Sequence, residues 1–230
     1  LKTSTIGYVE QHTQRITSMS SPQANWMVFL IGGASGVGKT LVAQQLGQRF
    51  GASWLAIDDL RLAFQYSHVT LPERTNALYF FLETPDIWTQ PPESLRDGLI
   101  AVGEVMSPAL EIVVANHVDT SAPVVIEGDG ILPSLFAAPS VQDRARHGLV
   151  QAVFLIEPEE DVLLDNIIAR GRGTTGRPEA ELRTEAHAKW LYGQWLAREA
   201  HRYGLPVLHP RPWLTLLERI ITTTHSSERT

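Results

Sequence analysis

Cysteine is absent from the 230 residues, which excludes a disulfide framework, Cys-ligated zinc and a thiol nucleophile. Positive charge is scarce as well: 19 Lys and Arg stand against 25 Asp and Glu, for a net charge of −6. A chain so balanced has no overall basic field for collecting nucleic acid, and a nucleic-acid partner is not expected. No uninterrupted apolar run reaches the roughly 18 residues of a membrane span, so no membrane partner is expected either. Leu1–Pro22 is polar and lacks the apolar centre of a signal peptide, so a cytoplasmic location is the expectation. No internal repeat or linker-like stretch interrupts the sequence. With 43% hydrophobic and 19% charged residues, the chain reads as one α/β domain over 1–230, with an N-terminal arm at 1–22. Composition leaves the oligomeric state open.

Against these absences stands one stretch, Gly33-Ala34-Ser35-Gly36-Val37-Gly38-Lys39-Thr40. It fits G-x-x-x-x-G-K-[ST], the loop that wraps a nucleoside triphosphate, here taken as ATP. Its context fits too: an apolar strand over Trp26–Ile31 precedes it, and an apolar-periodic helix over Leu41–Phe50 follows. Glycines let the backbone come close to the ligand, so that successive N–H groups and a helix N-terminus face the phosphate oxygens. All eight residues are expected at the nucleotide. Lys39 is assigned to the β- and γ-phosphates and Thr40 to Mg²⁺ through its hydroxyl.

Later strands end on charged residues. A second strand over Ser53–Ile57 leads into Asp58-Asp59-Leu60-Arg61, ahead of a helix over Leu60–Tyr66. Ligand sites of open parallel sheets lie at the carboxyl ends of the strands. Asp58 there can take the proton of an acceptor hydroxyl, and Arg61 can hold an anionic acceptor. One of the two aspartates can instead cap the helix. A third strand over Pro123–Gly130 has an acidic end that carries Glu127 and Asp129. An acid in that place serves Mg²⁺, with Glu127 preferred to Asp129. A fourth strand is expected over Gln151–Ile156 and a fifth over Leu205–Leu208. The fold class is thus a three-layer α/β/α arrangement on a mainly parallel five-stranded sheet.

Two segments complete the reading. Residues 62–118 form a helical insertion suited to an acceptor lid, with a helix from Leu95 to His117 kinked or divided at Ser107-Pro108. Its Glu104, Asn116 and His117 are possible acceptor contacts, and its aromatic residues are expected in the core. Residues 170–178 carry Arg170, Arg172 and Arg177 among glycines, an arginine-rich lid able to close on the phosphates, Arg170 first and Arg172 with it. A long helix follows over Pro178–Tyr203. Trp213 is expected in the core, and residues beyond Thr222 are expected to fray.

With these motifs in place the chain resembles the P-loop kinase superfamily, in the group that holds adenylate kinase, polynucleotide 5′-kinase and zeta toxins. Asp58-Asp59-Leu60-Arg61 looks like the Asp-Asp-x-Arg element of polynucleotide kinases, which implies a base at Asp58 and an acceptor-phosphate contact at Arg61. Ile31-Gly32-Gly33-Ala34-Ser35-Gly36-Val37-Gly38-Lys39 and Val125-Ile126-Glu127-Gly128 look most like 2-phosphoglycerate kinase-like proteins. The resemblance implies an ATP- and Mg²⁺-dependent kinase acting on a small acidic or phosphorylated metabolite. A kinase of nucleoside or nucleic-acid 5′-hydroxyls and an ATP-dependent regulatory switch are the alternatives. Relative to adenylate kinase, Asn166 stands where an arginine packs on adenine.

Overall fold

A computed structural model describes residues 24–67, 75–171 and 173–227. The expected arm at 1–22, the break at Leu71-Pro72 and Arg172 lie outside these residues. Five short strands, β1 (Val28–Gly32), β2 (Ser53–Ala56), β3 (Val124–Gly128), β4 (Val150–Leu155) and β5 (Val207–Leu208), form one sheet in the order β2-β3-β1-β4-β5. Every pairing is parallel, with Val28 opposite both Val124 and Val150. Parallel strands covered on both faces should be apolar throughout rather than alternating. Every residue of β1 and β3 is buried, and apart from Glu127 of β3 none carries a polar side chain.

The connections are helical: α1 (Lys39–Phe50), α2 (Ile57–Tyr66), α3 (Phe80–Glu83), α4 (Pro92–Asp119), α5 (Pro139–Arg146), α6 (Glu160–Arg170), α7 (Glu179–Arg202) and α8 (Leu216–Ser227). α1 ends at Gly51, whose left-handed φ of 67° lets its N–H reach the Gly47 carbonyl. The core around β1 gathers Phe29, Leu30, Ile31, Ile126, Phe154 and Tyr192, all buried.

Several expectations change. α4 runs undivided through Pro108. Proline removes one intrahelical bond, and beside it the Ser107 hydroxyl donates to the Gly103 carbonyl at 2.9 Å. α4 is also the one described helix long and apolar enough, by composition, to cross a membrane, with an 18-residue window of mean hydropathy 1.7. Its apolarity has a local use: Leu95, Val102, Met106, Leu110 and Val114 are buried, at the spacing of one helix face. α8 continues to Ser227, past the expected fraying at Thr222.

Candidate active site

The cradle leaves the sheet at the end of β1. Gly33 has φ 143°, and a Cβ added there would stand 2.4 Å from the Leu155 carbonyl oxygen. The loop therefore lies directly on the end of β4, where only glycine fits. Gly33→Ala should lower stability by about 3 kcal/mol, read as a shift in the denaturant midpoint at unchanged slope. Gly38, with φ 81°, ends the loop as the N-cap of α1, and a Cβ on it would meet the Trp213 ring at 2.2 Å. Trp213 is therefore corrected from core to site. It is 39% exposed and lies against the cradle, lining the same cavity as Lys39 and Thr40.

That cavity, of about 640 Å³, is also bordered by Ser35, Gly36, Asn166 and Arg170. Lys39 is the first residue of α1 and is buried. Its Nζ donates to the Ala34 carbonyl at 2.9 Å and to Asp129 Oδ1 at 2.6 Å. Ala34 and Val37 are themselves buried, so their contribution is backbone. The Thr40 hydroxyl donates to Glu127 Oε1 at 2.8 Å. Burial raises the Glu127 carboxyl above its ordinary 4.5, opposed by the Lys39 charge and the Thr40 bond. Such a carboxylate gains from a cation. The donor set fits magnesium, which takes hard oxygens and completes its shell with phosphates and water. Among the described residues no cluster of three acids or histidines holds a metal unaided. Of the two expected metal acids, Glu127 borders the Thr40 hydroxyl, whereas Asp129 faces Lys39.

Asp58 and Asp59 lie inside the first turn of α2, which starts three residues before the expected Leu60, and neither side chain caps it. Carboxylates in a first turn are favoured by the helix dipole. Asp58 Oδ1 accepts from Arg61 Nη2 at 3.2 Å, one turn on. Half of the Asp58 side chain is exposed, and it lines both this cavity and the next. Desolvation in the cleft raises its carboxyl above 3.8, reinforced by Asp129 and opposed by Arg61 and Lys39. Asp59 borders the nucleotide cavity alone.

A second cavity, of about 290 Å³, adjoins the first. The two share Ser35, Asp58, Asp129 and Arg170. Arg61 lines only the second, together with Phe81 and Trp88 of the helical insertion and Lys189 of α7. Phe81, expected in the core, thus faces ligand space. Glu104, Asn116 and His117 line neither cavity. Arg170 closes α6 and gives Nη1–H to the Ser35 hydroxyl at 2.8 Å. Arg177, the other described lid arginine, is held away from the cradle by Glu181 and Glu185 and lies 4.8 Å over the Trp88 ring.

Sequence reasoning passed over Tyr192 and Arg219, and read Asn166 only as a position beside the base. The buried Tyr192 hydroxyl donates to the Asp129 carbonyl, and burial pushes its phenol well above 10, so it stays a donor. Asn166 Nδ2 donates to the Gly36 carbonyl at 3.2 Å, tying α6 to the cradle. Arg219 of α8 donates to the carbonyls of His209, Pro210 and Pro212, which fixes the loop that presents Trp213. Helix periodicity gave Tyr192 and Arg219 no signal beyond core and surface.

No protein-family model matches the chain. It is 26% identical over 212 residues to the 2-phosphoglycerate kinase of Methanothermobacter thermautotrophicus, a match covering 85% of this chain and 64% of that protein. The chain thus spans less than two thirds of that relative's length. Among solved structures it is similar to shikimate kinase from Acinetobacter baumannii in complex with shikimate. That likeness has a TM-score of 0.50 at 13% identity, covers 90% of this chain and 97% of the other, and speaks for the fold. With a parallel five-stranded sheet, a phosphate cradle after its first strand and these likenesses, the chain has a P-loop kinase-like fold.

Proposed function

We propose that the protein is an ATP- and Mg²⁺-dependent kinase that transfers the γ-phosphoryl group to a hydroxyl of a small acidic or phosphorylated metabolite. One observation carries the reading: the cradle's cavity and a second, smaller cavity meet at Asp58, Asp129 and Arg170. A nucleotide in the first and an acceptor in the second would put the donor phosphorus beside the acceptor oxygen. The likeness to a 2-phosphoglycerate kinase supports an acidic acceptor.

In this account the backbone of Gly33–Gly38 binds the phosphates, and Lys39 leaves Asp129 for the β- and γ-oxygens. Asp58 takes the proton of the acceptor hydroxyl as its oxygen bonds to the γ-phosphorus, while the bond from phosphorus to the β-bridging oxygen breaks and ADP leaves. Arg170 offsets charge on the moving phosphoryl group, and Arg61 holds the acceptor's anion. Thr40 and Glu127 would hold magnesium, which neutralises phosphate charge when bound. Arg172 belongs to the same proposal as a nucleotide contact. Trp213 and Asn166 border the space left for the base.

³¹P spectroscopy of the protein with ATP, Mg²⁺ and candidate hydroxy acids should show a new phosphomonoester growing in step with ADP. Inorganic phosphate as the sole product would refute transfer.

Glu127→Gln should cut the rate and raise the Mg²⁺ concentration needed for half-maximal rate, while raising the Tm. The sign follows from its raised carboxyl: stability from the neutral form is complete below the unfolded pKa and lost as pH rises through the folded one. At neutral pH the buried charge therefore costs stability, and glutamine keeps an oxygen for Thr40. A lowered Tm in calorimetry would contradict this.

A further inference from the structure

The second cavity carries an inference that rests on the kinase reading and narrows its acceptor. Phe81, Trp88, Leu99, Val102 and Met106 make much of its wall. Its described charged lining is balanced, with Asp58, Asp129 and Glu185 against Arg61, Arg170 and Lys189. Most of these charges are already paired. Lys189 and the lid's Arg177 both bind Glu185, and they hold its carboxyl below 4.5 although burial alone would raise it. Arg170 stands at the junction with the phosphates. Among the described residues on the acceptor side this leaves Arg61, which spends one contact on Asp58 and keeps the rest of its five-donor fork.

A phosphorylated hydroxy acid brings a phosphate of about two negative charges besides its carboxylate. Placed in a balanced cavity beside ATP, that charge would be largely uncompensated. A short polar chain would also leave Phe81, Trp88 and Leu99, each partly exposed in the empty cavity, facing water or void. Pockets of this kind seat an apolar body and orient it with few polar groups.

We infer that the acceptor is a hydroxylated monocarboxylate with a hydrocarbon ring body, its carboxylate on Arg61, its hydroxyl at Asp58, and its ring on the wall formed by Phe81, Trp88, Leu99, Val102 and Met106. One negative charge matches one open guanidinium fork. The cavity of about 290 Å³ lies at the small end of ligand sites, which suits a single ring.

The test is a set of initial rates with ATP and Mg²⁺ on ring hydroxy monocarboxylates, glycerate, 2- and 3-phosphoglycerate, and nucleosides. The ring acids should exceed every other class by about tenfold or more in kcat/KM. Val102→Thr, close in shape but polar, should raise KM for the ring acid by about tenfold with kcat and the KM for ATP kept. The kept KM for ATP shows that the variant is folded. A phosphoglycerate, glycerate or a nucleoside used as well as the ring acids would overturn the proposal and leave the kinase reading standing. Indifference of the ring acid's KM to Val102→Thr would overturn it likewise. Transfer to none of them, with ATP split to inorganic phosphate equally by Asp58→Asn, would overturn both.

Discussion

Asp58→Asn is expected to cut acceptor phosphorylation by about 10³-fold while ATP still binds with its wild-type affinity. The size is that of a positioned general base, and asparagine keeps the shape but cannot take a proton. Binding is spared because the phosphates are held by the cradle backbone and Lys39, which Asp58 does not touch. Asp58 is hydrogen-bonded to Arg61, so the asparagine carbonyl can keep that partner and the start of α2 should survive. Desolvation and Asp129 raise the Asp58 carboxyl, which brings a base nearer to working pH and strengthens it. In the wild-type protein kcat/KM should therefore fall on the acid side with a midpoint above 3.8, because the protonated carboxyl cannot accept. The residual rate of the asparagine variant should lack that limb. Calorimetric titration with ATP and initial rates across acid pH check both parts; a rate within tenfold of wild type would remove Asp58 from the chemistry.

Lys39→Met should fail differently. Its ammonium is the one side-chain cation of the cradle, buried between the Ala34 carbonyl and Asp129. Without it, developing phosphate charge loses a donor fixed in a site of low polarity, a loss of about 10²–10³-fold in kcat. Nucleotide affinity should fall too, since the same ammonium binds ground-state phosphate. The variant also leaves the part-buried Asp129 without its ion-pair partner, and a carboxylate so stranded is costly. Its Tm should fall, and Lys39→Met with Asp129→Asn should recover much of the stability but none of the activity. Comparing the two variants separates roles: Asp58→Asn loses transfer alone, Lys39→Met loses transfer and binding together. Equal ATP affinity in wild type and Lys39→Met would contradict the assignment.

The parts legible in the sequence were those whose chemistry is local. The cradle is a contiguous run with a strand before it and a helix after it, so order along the chain was enough to find Lys39 and Thr40. Glu127 was legible because an apolar strand ending on an acid has few readings beside a cradle. Neighbourhood across the sheet was not legible. Nothing in Glu127-Gly128-Asp129 says that one acid meets Thr40 and the other Lys39. Alternation alone would put residues two apart on one face; the two acids part because β3 ends at Gly128 and the chain turns before Asp129. Trp213 was misread because an aromatic near the last helix is ordinarily core; only the approach of its ring to Gly38 reveals it as a wall of the site. The same holds for the acceptor cavity. Phe81, Trp88 and Lys189 come from three separate segments, and their meeting depends on how α4 and α7 pack, which helix periodicity does not encode. Pro108 was over-read, since a long helix packed along its length absorbs one missing bond.

Transfer to an organic hydroxyl rather than to water is what makes the protein a kinase and not an ATPase. The direct measurement uses γ-labelled ATP with Mg²⁺ and a protein-free extract of small molecules, comparing wild type with Asp58→Asn. Wild type should move label into a discrete organic phosphomonoester, and the variant should not. Label released only as inorganic phosphate, at the same rate by both proteins, would contradict transfer to a hydroxyl.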